Sequence, residues 1–384
     1  MRLILRILII LLMLVGISTI VPLFLQGEAC AKQRDNTWIT VQGKDFIKNN
    51  ASFKFIGASA VNLVFYDDWN LDIEKAIRTA KENNISVVRI YLDWGWSKDE
   101  DIDRVIDCAG RYGIYVICSL TDCCCSGDYL NFETYLSVHA PFCNIANEES
   151  SQAFKRRMRK IIERKNSING KIYRDDPTIL AWEIANELEY WHFPDMQVHK
   201  WIRDMAGYIK TLDKRHLLTI GVSVGYEKRF DDPSFYRIFN VANLDFFSFH
   251  FYPSVSNSGQ RQEEIQKEAG ETISLVSKNF ISYGKPVILE EFGFSSSKEV
   301  NFKMRTDKNS QSAYVKSMKF YMDAAFRSGV SGVMFWGWGV PKEEMIPMWW
   351  SKESHSVSDK SFCKLLKEYV IGDKNKSWNL SGER

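Results

Sequence analysis

A (β/α)8 barrel, the TIM-barrel architecture of the α/β class, is the fold the sequence predicts, and three observations predict it. Eight short apolar runs alternate with longer amphipathic segments from about residue 38 to residue 336. The runs are apolar almost without interruption, which marks a parallel sheet covered on its outer face. The turn after the first run reads Phe55-Ile56-Gly57-Ala58-Ser59-Ala60, without the glycine-rich phosphate loop expected of an open, doubly wound sheet. A span of roughly 285 residues suits a barrel whose usual size is ~250 residues with insertions allowed.

The elements follow in order. Residues 1–31 stand apart: Arg2 and Arg6 precede an apolar run over 7–25, and Ala29-Cys30-Ala31 offers a small-x-small cleavage site. This segment reads as an export signal or, given a run close to membrane-spanning length, an uncleaved N-terminal anchor. The protein is then secreted or extracytoplasmic. Residues 32–372 form one catalytic-size domain, opening with a short hairpin (38–41, then Phe53) that caps the barrel bottom. Strands are expected at 53–56, 86–91, 115–120, 179–184, 218–222, 246–249, 287–290 and 332–336. Helices with apolar residues at three- and four-residue spacing are expected at 73–83, 102–112, 153–165, 196–212, 263–280 and 311–327. Residues 373–384 form a polar tail.

Composition narrows the function. Apolar residues make up 45% of the 384 and aromatic ones 14%, which excludes a disordered or fibrous chain. Fifty Lys and Arg against 48 Asp and Glu leave no basic excess for a nucleic acid backbone. Of the eight cysteines, Cys108 and Cys118 read as buried thiols. The run Cys123-Cys124-Cys125 cannot ligate one metal ion together. In an exported chain it suits a disulfide to Cys143, without saying which cysteine pairs.

In such a barrel, function collects at the C-terminal strand ends. The polar residues there are Arg89, Asn186, Glu187, His250, Tyr252 and Glu291, with Trp336 as an apolar ring surface. Two carboxylates on different strand ends, Glu187 and Glu291, are what glycosidic cleavage needs: an acid for the leaving oxygen and a nucleophile or base opposite. Their 104-residue separation spans three βα units, so they face one another across the barrel mouth. Each residue also has an ordinary structural reading, such as an ion pair for Arg89 or a core position for His250. Their joint placement favours the chemical one. Glu290, one residue off in a strand of period two, is expected to face the helices. Glu183 is expected to face the interior as a hydrogen-bonded support. Trp94, Trp96, Trp191, Trp349 and Trp350 are further candidates for sugar platforms.

The segments Arg164 to Gly170, Tyr173 to Glu187 (ending Ala181-Trp182-Glu183-Ile184-Ala185-Asn186-Glu187), Trp201 to Ala206, His250-Phe251-Tyr252-Pro253 and Lys285 to Gly293 resemble the endo-β-1,4-mannanases of glycoside hydrolase family 5. The resemblance implies a retaining mechanism with Glu187 as acid/base and Glu291 as nucleophile. Arg89, Asn186, His250, Tyr252, Trp336 and Trp94 would surround the sugar. It implies no cofactor and no metal, a mannan or glucomannan substrate, and a monomer. A β-1,4-glucanase on the same core and a non-catalytic carbohydrate-binding barrel are the alternatives. Three departures bear on the sugar: Leu188-Glu189 stands where such enzymes often carry Pro-Arg, Thr121-Asp122-Cys123 lacks the usual Asn-Asn-Trp character, and residues 221–225 lack acidic side chains.

Overall fold

The computed structural model describes residues 37–64, 72–92, 98–121, 148–188, 193–224, 229–253, 262–293, 308–338 and 360–372. The leader, Cys123 to Cys125, Cys143, Trp94, Trp96, Glu189, Trp191, Trp349, Trp350 and the polar tail lie outside these residues.

The predicted cap is a three-stranded antiparallel sheet of β1 (Thr40–Gln42), β2 (Asp45–Lys48) and β3 (Ala51–Ser52). The barrel strands are β4 (Phe55–Ser59), β5 (Ile85–Tyr91), β6 (Tyr115–Ser119), β7 (Ile179–Glu183), β8 (Leu217–Thr219), β9 (Gly221–Ser223), β10 (Phe247–Phe251), β11 (Val287–Phe292) and β12 (Gly332–Phe335). Helices among the described residues are α1 (Ile73–Glu82), α2 (Asp99–Tyr112), α3 (Glu148–Ile162), α4 (Asp195–Leu212), α5 (Pro233–Phe239), α6 (Gln262–Ile281), α7 (Lys308–Arg327) and α8 (Lys360–Glu368). None of them is long and apolar enough to cross a membrane.

The sheet runs in the order β8-β7-β6-β5-β4-β12-β11-β10-β9, with every pairing parallel. The single run expected over 218–222 is two strands divided at Ile220, the first bonded to β7 and the second to β10. Together they occupy the fifth barrel position and close the ring, so nine strands make an eight-position barrel. The split follows from direction: one strand must serve neighbours that diverge around a closed, tilted sheet.

Local sequence explains the helices. In α1, Ile73, Ala76, Ile77 and Ala80 form the buried stripe, and the Asp72 carboxylate caps the Lys75 amide at 2.9 Å. Acidic residues open α2, and Gly113, at φ +64°, ends it in the left-handed conformation that glycine accepts without penalty. Two apolar layers result. One lies between strands and helices. The other fills the lower barrel, where Phe46 of the cap packs with Phe55, Val87, Tyr115, Ile117, Leu217, Phe246, Ile288 and Met334. Above it the interior becomes polar, because Arg89 and Tyr91 share inward parity with Val87 on β5.

Candidate active site

Arg89 is fully buried at the centre of the polar layer. Its Nε donates to Glu183 Oε2 at 2.6 Å and its Nη2 to Glu183 Oε1 at 2.7 Å, a bidentate fork. Nη2 also donates to Asn186 Oδ1 at 2.6 Å, while Nη1 donates to Tyr91 Oη at 2.8 Å and to Glu291 Oε1. One guanidinium thus fixes residues from β5, β7 and β11. The Asn186 amide is turned with its oxygen toward Arg89.

Three donors converge on Glu291: Arg89, the Tyr91 hydroxyl at 3.0 Å and the Tyr252 hydroxyl at 2.7 Å. Burial, followed by the charge of Glu291, pushes the Tyr252 phenol well above its ordinary range, so it remains a donor. Glu187 stands just past β7, on a segment tied to its neighbours by Asn186 N–H to Thr121 O (2.8 Å) and Gly221 N–H to Ala185 O (3.0 Å). Its φ of +42° is left-handed, a conformation that costs a non-glycine residue on the order of 1–3 kcal/mol and aims its side chain into the mouth. Glu187 Oε1 lies 2.9 Å from His250 Nδ1. A carboxylate oxygen from Glu187, one from Glu291 and a ring nitrogen of His250 all lie within 4.8 Å of one another.

Burial favours a neutral His250, but Glu291, Glu187 and Glu290 outweigh it and push the ring up to about 10. Burial also raises Glu183, with the charge of Glu290 adding to it and Arg89 opposing. A carboxylate oxygen from Glu183, one from Glu290 and a ring nitrogen of His250 also lie within 4.8 Å of one another. Arg89 adds a fixed positive charge beside both clusters: it holds Glu183 and Glu291 directly and stands 3.6 Å from Glu290.

Arg89, Asn186, Glu187, His250, Tyr252 and Glu291 are therefore gathered as expected, and Glu183 faces the interior in the supporting place foreseen for it. Trp336 follows β12 with its ring 6.3 Å from that of Tyr91, at the same mouth. The expectation for Glu290 is corrected. It points into the barrel, fully buried, with Oε2 3.3 Å from His250 Nε2. The reason is a bulge: Phe249 pairs with Leu289 but His250 with Glu291, so Glu290 is an extra residue and both glutamates reach the site. Tyr91 was missed, although its parity with Arg89 was legible in the sequence.

Residues 91–362 match a family described as glycoside hydrolase family 5 β-mannosidase-like, more than half of the chain. Mannan endo-1,4-β-mannosidase 1 of Arabidopsis thaliana is 28% identical over 270 residues, covering 58% of this chain and 62% of that enzyme. Mannan endo-1,4-β-mannosidase 4 of Solanum lycopersicum is 27% identical over 306 residues, covering 68% and 74%. Among solved structures, the endo-β-1,4-mannanase of Thermotoga petrophila superposes with a TM-score of 0.66 at 22% identity, covering 84% of this chain and 77% of that one. A family 5 mannosidase of Rhizomucor miehei superposes at 0.67 with 19% identity, covering 88% and 97%. The structural likenesses carry the fold.

Proposed function

This chain belongs to glycoside hydrolase family 5, in its β-mannosidase-like group, and from that premise we propose that it is a retaining, endo-acting β-1,4-mannosidase of mannan-type polysaccharides. The observation that carries the mechanism is the close approach of Glu187 and Glu291, whose nearest oxygens are within 4.8 Å. Retaining enzymes hold their carboxyl groups ~5–5.5 Å apart, whereas inverting enzymes leave ~6.5–9.5 Å for a water.

In this reading Glu291 attacks the anomeric carbon and forms a glycosyl-enzyme, while Glu187 gives its proton to the departing oxygen. Glu187 then takes a proton from the water that releases the sugar. Arg89, Tyr91 and Tyr252 fix the Glu291 carboxylate so that one oxygen faces the ring without reorganisation. The Asn186 amide binds the sugar 2-hydroxyl, a contact that strengthens in the transition state. Trp336 presents an apolar face beneath the sugar. The enzyme acts outside the cytoplasm as a monomer, delivered by the segment 1–31 as a signal or an anchor.

Reducing-sugar release from mannan, glucomannan and carboxymethylcellulose tests the substrate; preference for carboxymethylcellulose would overturn it in favour of a glucanase. The roles are tested by two variants. Glu291→Ala should abolish turnover on every substrate. Glu187→Ala should keep activity on aryl mannosides with good leaving groups, with azide yielding a β-mannosyl azide. Equal loss in both variants without azide rescue would remove Glu187 from its role.

A further inference from the structure

Both ring nitrogens of His250 face carboxylate oxygens. Nδ1 lies 2.9 Å from Glu187 Oε1 and 3.5 Å from Glu291 Oε1, and Nε2 lies 3.3 Å from Glu290 Oε2. A neutral imidazole carries a single N–H, and an ionised carboxylate only accepts. With its counter-anion at Nε2, the ring keeps a hydrogen there, and Nδ1 becomes the atom at which it shares a proton with Glu187.

Burial opposes the ionised Glu290, but Arg89 and then His250 outweigh it and hold its carboxyl below the ordinary range. Glu290 is fully buried, and its Oε1 has no hydrogen-bond partner. The nearest guanidinium nitrogen, Arg89 Nε at 3.6 Å, already donates to Glu183. Leaving such a charge buried is costly unless nearby cations answer it; Arg89 is shared with Glu183 and Glu291, and the His250 ring, 3.3 Å away, is the second cation within reach. Gly221 permits the arrangement: a Cβ there would overlap Glu183 Oε1 and stand 3.0 Å from His250 Nε2.

We propose that Glu290 is a positioning residue that acts through the His250 ring on Glu187, holding that ring as an imidazolium beside the acid/base carboxyl. The proposal rests on the acid/base reading of Glu187. The groups facing the ring are Glu183 and Glu187 from the β7 side, Glu290 and Glu291 from β11, Arg89 and the Tyr91 phenol from β5, and the Tyr252 phenol beyond β10. Four carboxyl groups against one guanidinium leave an anionic surplus that favours the second proton on the ring. An imidazolium next to Glu187 in turn stabilises the ionised form required when it activates water.

Glu290→Gln keeps the size of the side chain and removes the charge. The basic limb of the pH dependence of kcat/KM on a manno-oligosaccharide should then move upward by about one pH unit, because a positive neighbour that lowered the acidity constant of Glu187 is gone. Nitrogen-15 spectra of the histidine rings, with His250 assigned through His250→Asn, should show both nitrogens protonated at pH 7 in the wild type and only one in Glu290→Gln. An unmoved limb with an unchanged ring would overturn the proposal and leave Glu290 a packing residue. A neutral His250 in the wild type at pH 7 would overturn it without any variant. Failure of the underlying reading has its own signature: a basic limb that persists in Glu187→Ala on an activated aryl mannoside would show that Glu187 is not the titrating acid.

Discussion

Replacing Arg89 by lysine separates charge from geometry at the centre of the site. The guanidinium makes five hydrogen bonds to Glu183, Glu291, Asn186 and Tyr91. An ammonium has three N–H bonds on a single atom, so at least two of the five are lost, and the bidentate hold on Glu183 cannot survive together with the contact to Glu291. Hydrogen bonds to charged groups contribute about 1.5–3 kcal/mol each, which sets the loss of stability at about 3–6 kcal/mol. Activity should fall further than a uniform weakening of binding would predict. Asn186 and Glu291 lose the common anchor that fixes their orientation, and misplacement of reacting groups by about 1 Å costs on the order of 100-fold. Urea unfolding at neutral pH gives the first number, and kcat and KM on a manno-oligosaccharide give the second, with the loss expected in kcat. A variant that unfolds within about 1 kcal/mol of the wild type and keeps kcat within a few-fold would refute the reasoning, since a positive charge alone would then suffice.

Three further outcomes are expected, two from particular contacts and one from the sequence departure at Glu189. Gly221→Ala should cost at least ~10-fold in kcat and about 1–3 kcal/mol in stability, because its Cβ meets Glu183 Oε1 and the His250 ring; wild-type kinetics would show that both side chains shift freely. Burial opposes the ionised Asp213, yet His216 on Oδ2 at 2.5 Å and Trp182 Nε1 at 2.8 Å outweigh it and hold Asp213 down to about 2, from an ordinary 3.8. A depressed carboxyl stabilises the fold above its unfolded value and ceases to do so as pH falls through its folded one, so about 2 kcal/mol should vanish between pH ~4 and ~2. Asp213→Asn should flatten that part of the stability profile, and an unaltered acid limb would disprove the linkage. Glu189→Arg should raise the share of transfer products at high oligosaccharide concentration and shift the basic limb of the pH–rate profile downward; unchanged products and profile would show that Glu189 is screened by solvent.

The sequence by itself determined the barrel, the strand ends and the residues at them. Unbroken apolar runs such as 179–184 and 287–290 state a sheet buried on both faces, and a polar residue at the end of such a run has only the barrel mouth to occupy. That logic places Arg89, Asn186, Glu187, His250, Tyr252 and Glu291 together from the sequence alone. The tertiary structure decided what a period of two could not. Strand alternation assumes an unbroken register, and a register is a property of two strands rather than one. The bulge opposite Phe249 and His250 exists only in the pairing of β10 with β11, and it turns Glu290 from the helix layer to the floor of the site. The split at Ile220 likewise records the divergence of two neighbours, β7 and β10, around a closed sheet. The charge state of the site is decided in the same way. Glu183, Glu187, Glu290 and Glu291 are four similar letters in the sequence, and only their burial and their distances to one arginine and one histidine give each a different task.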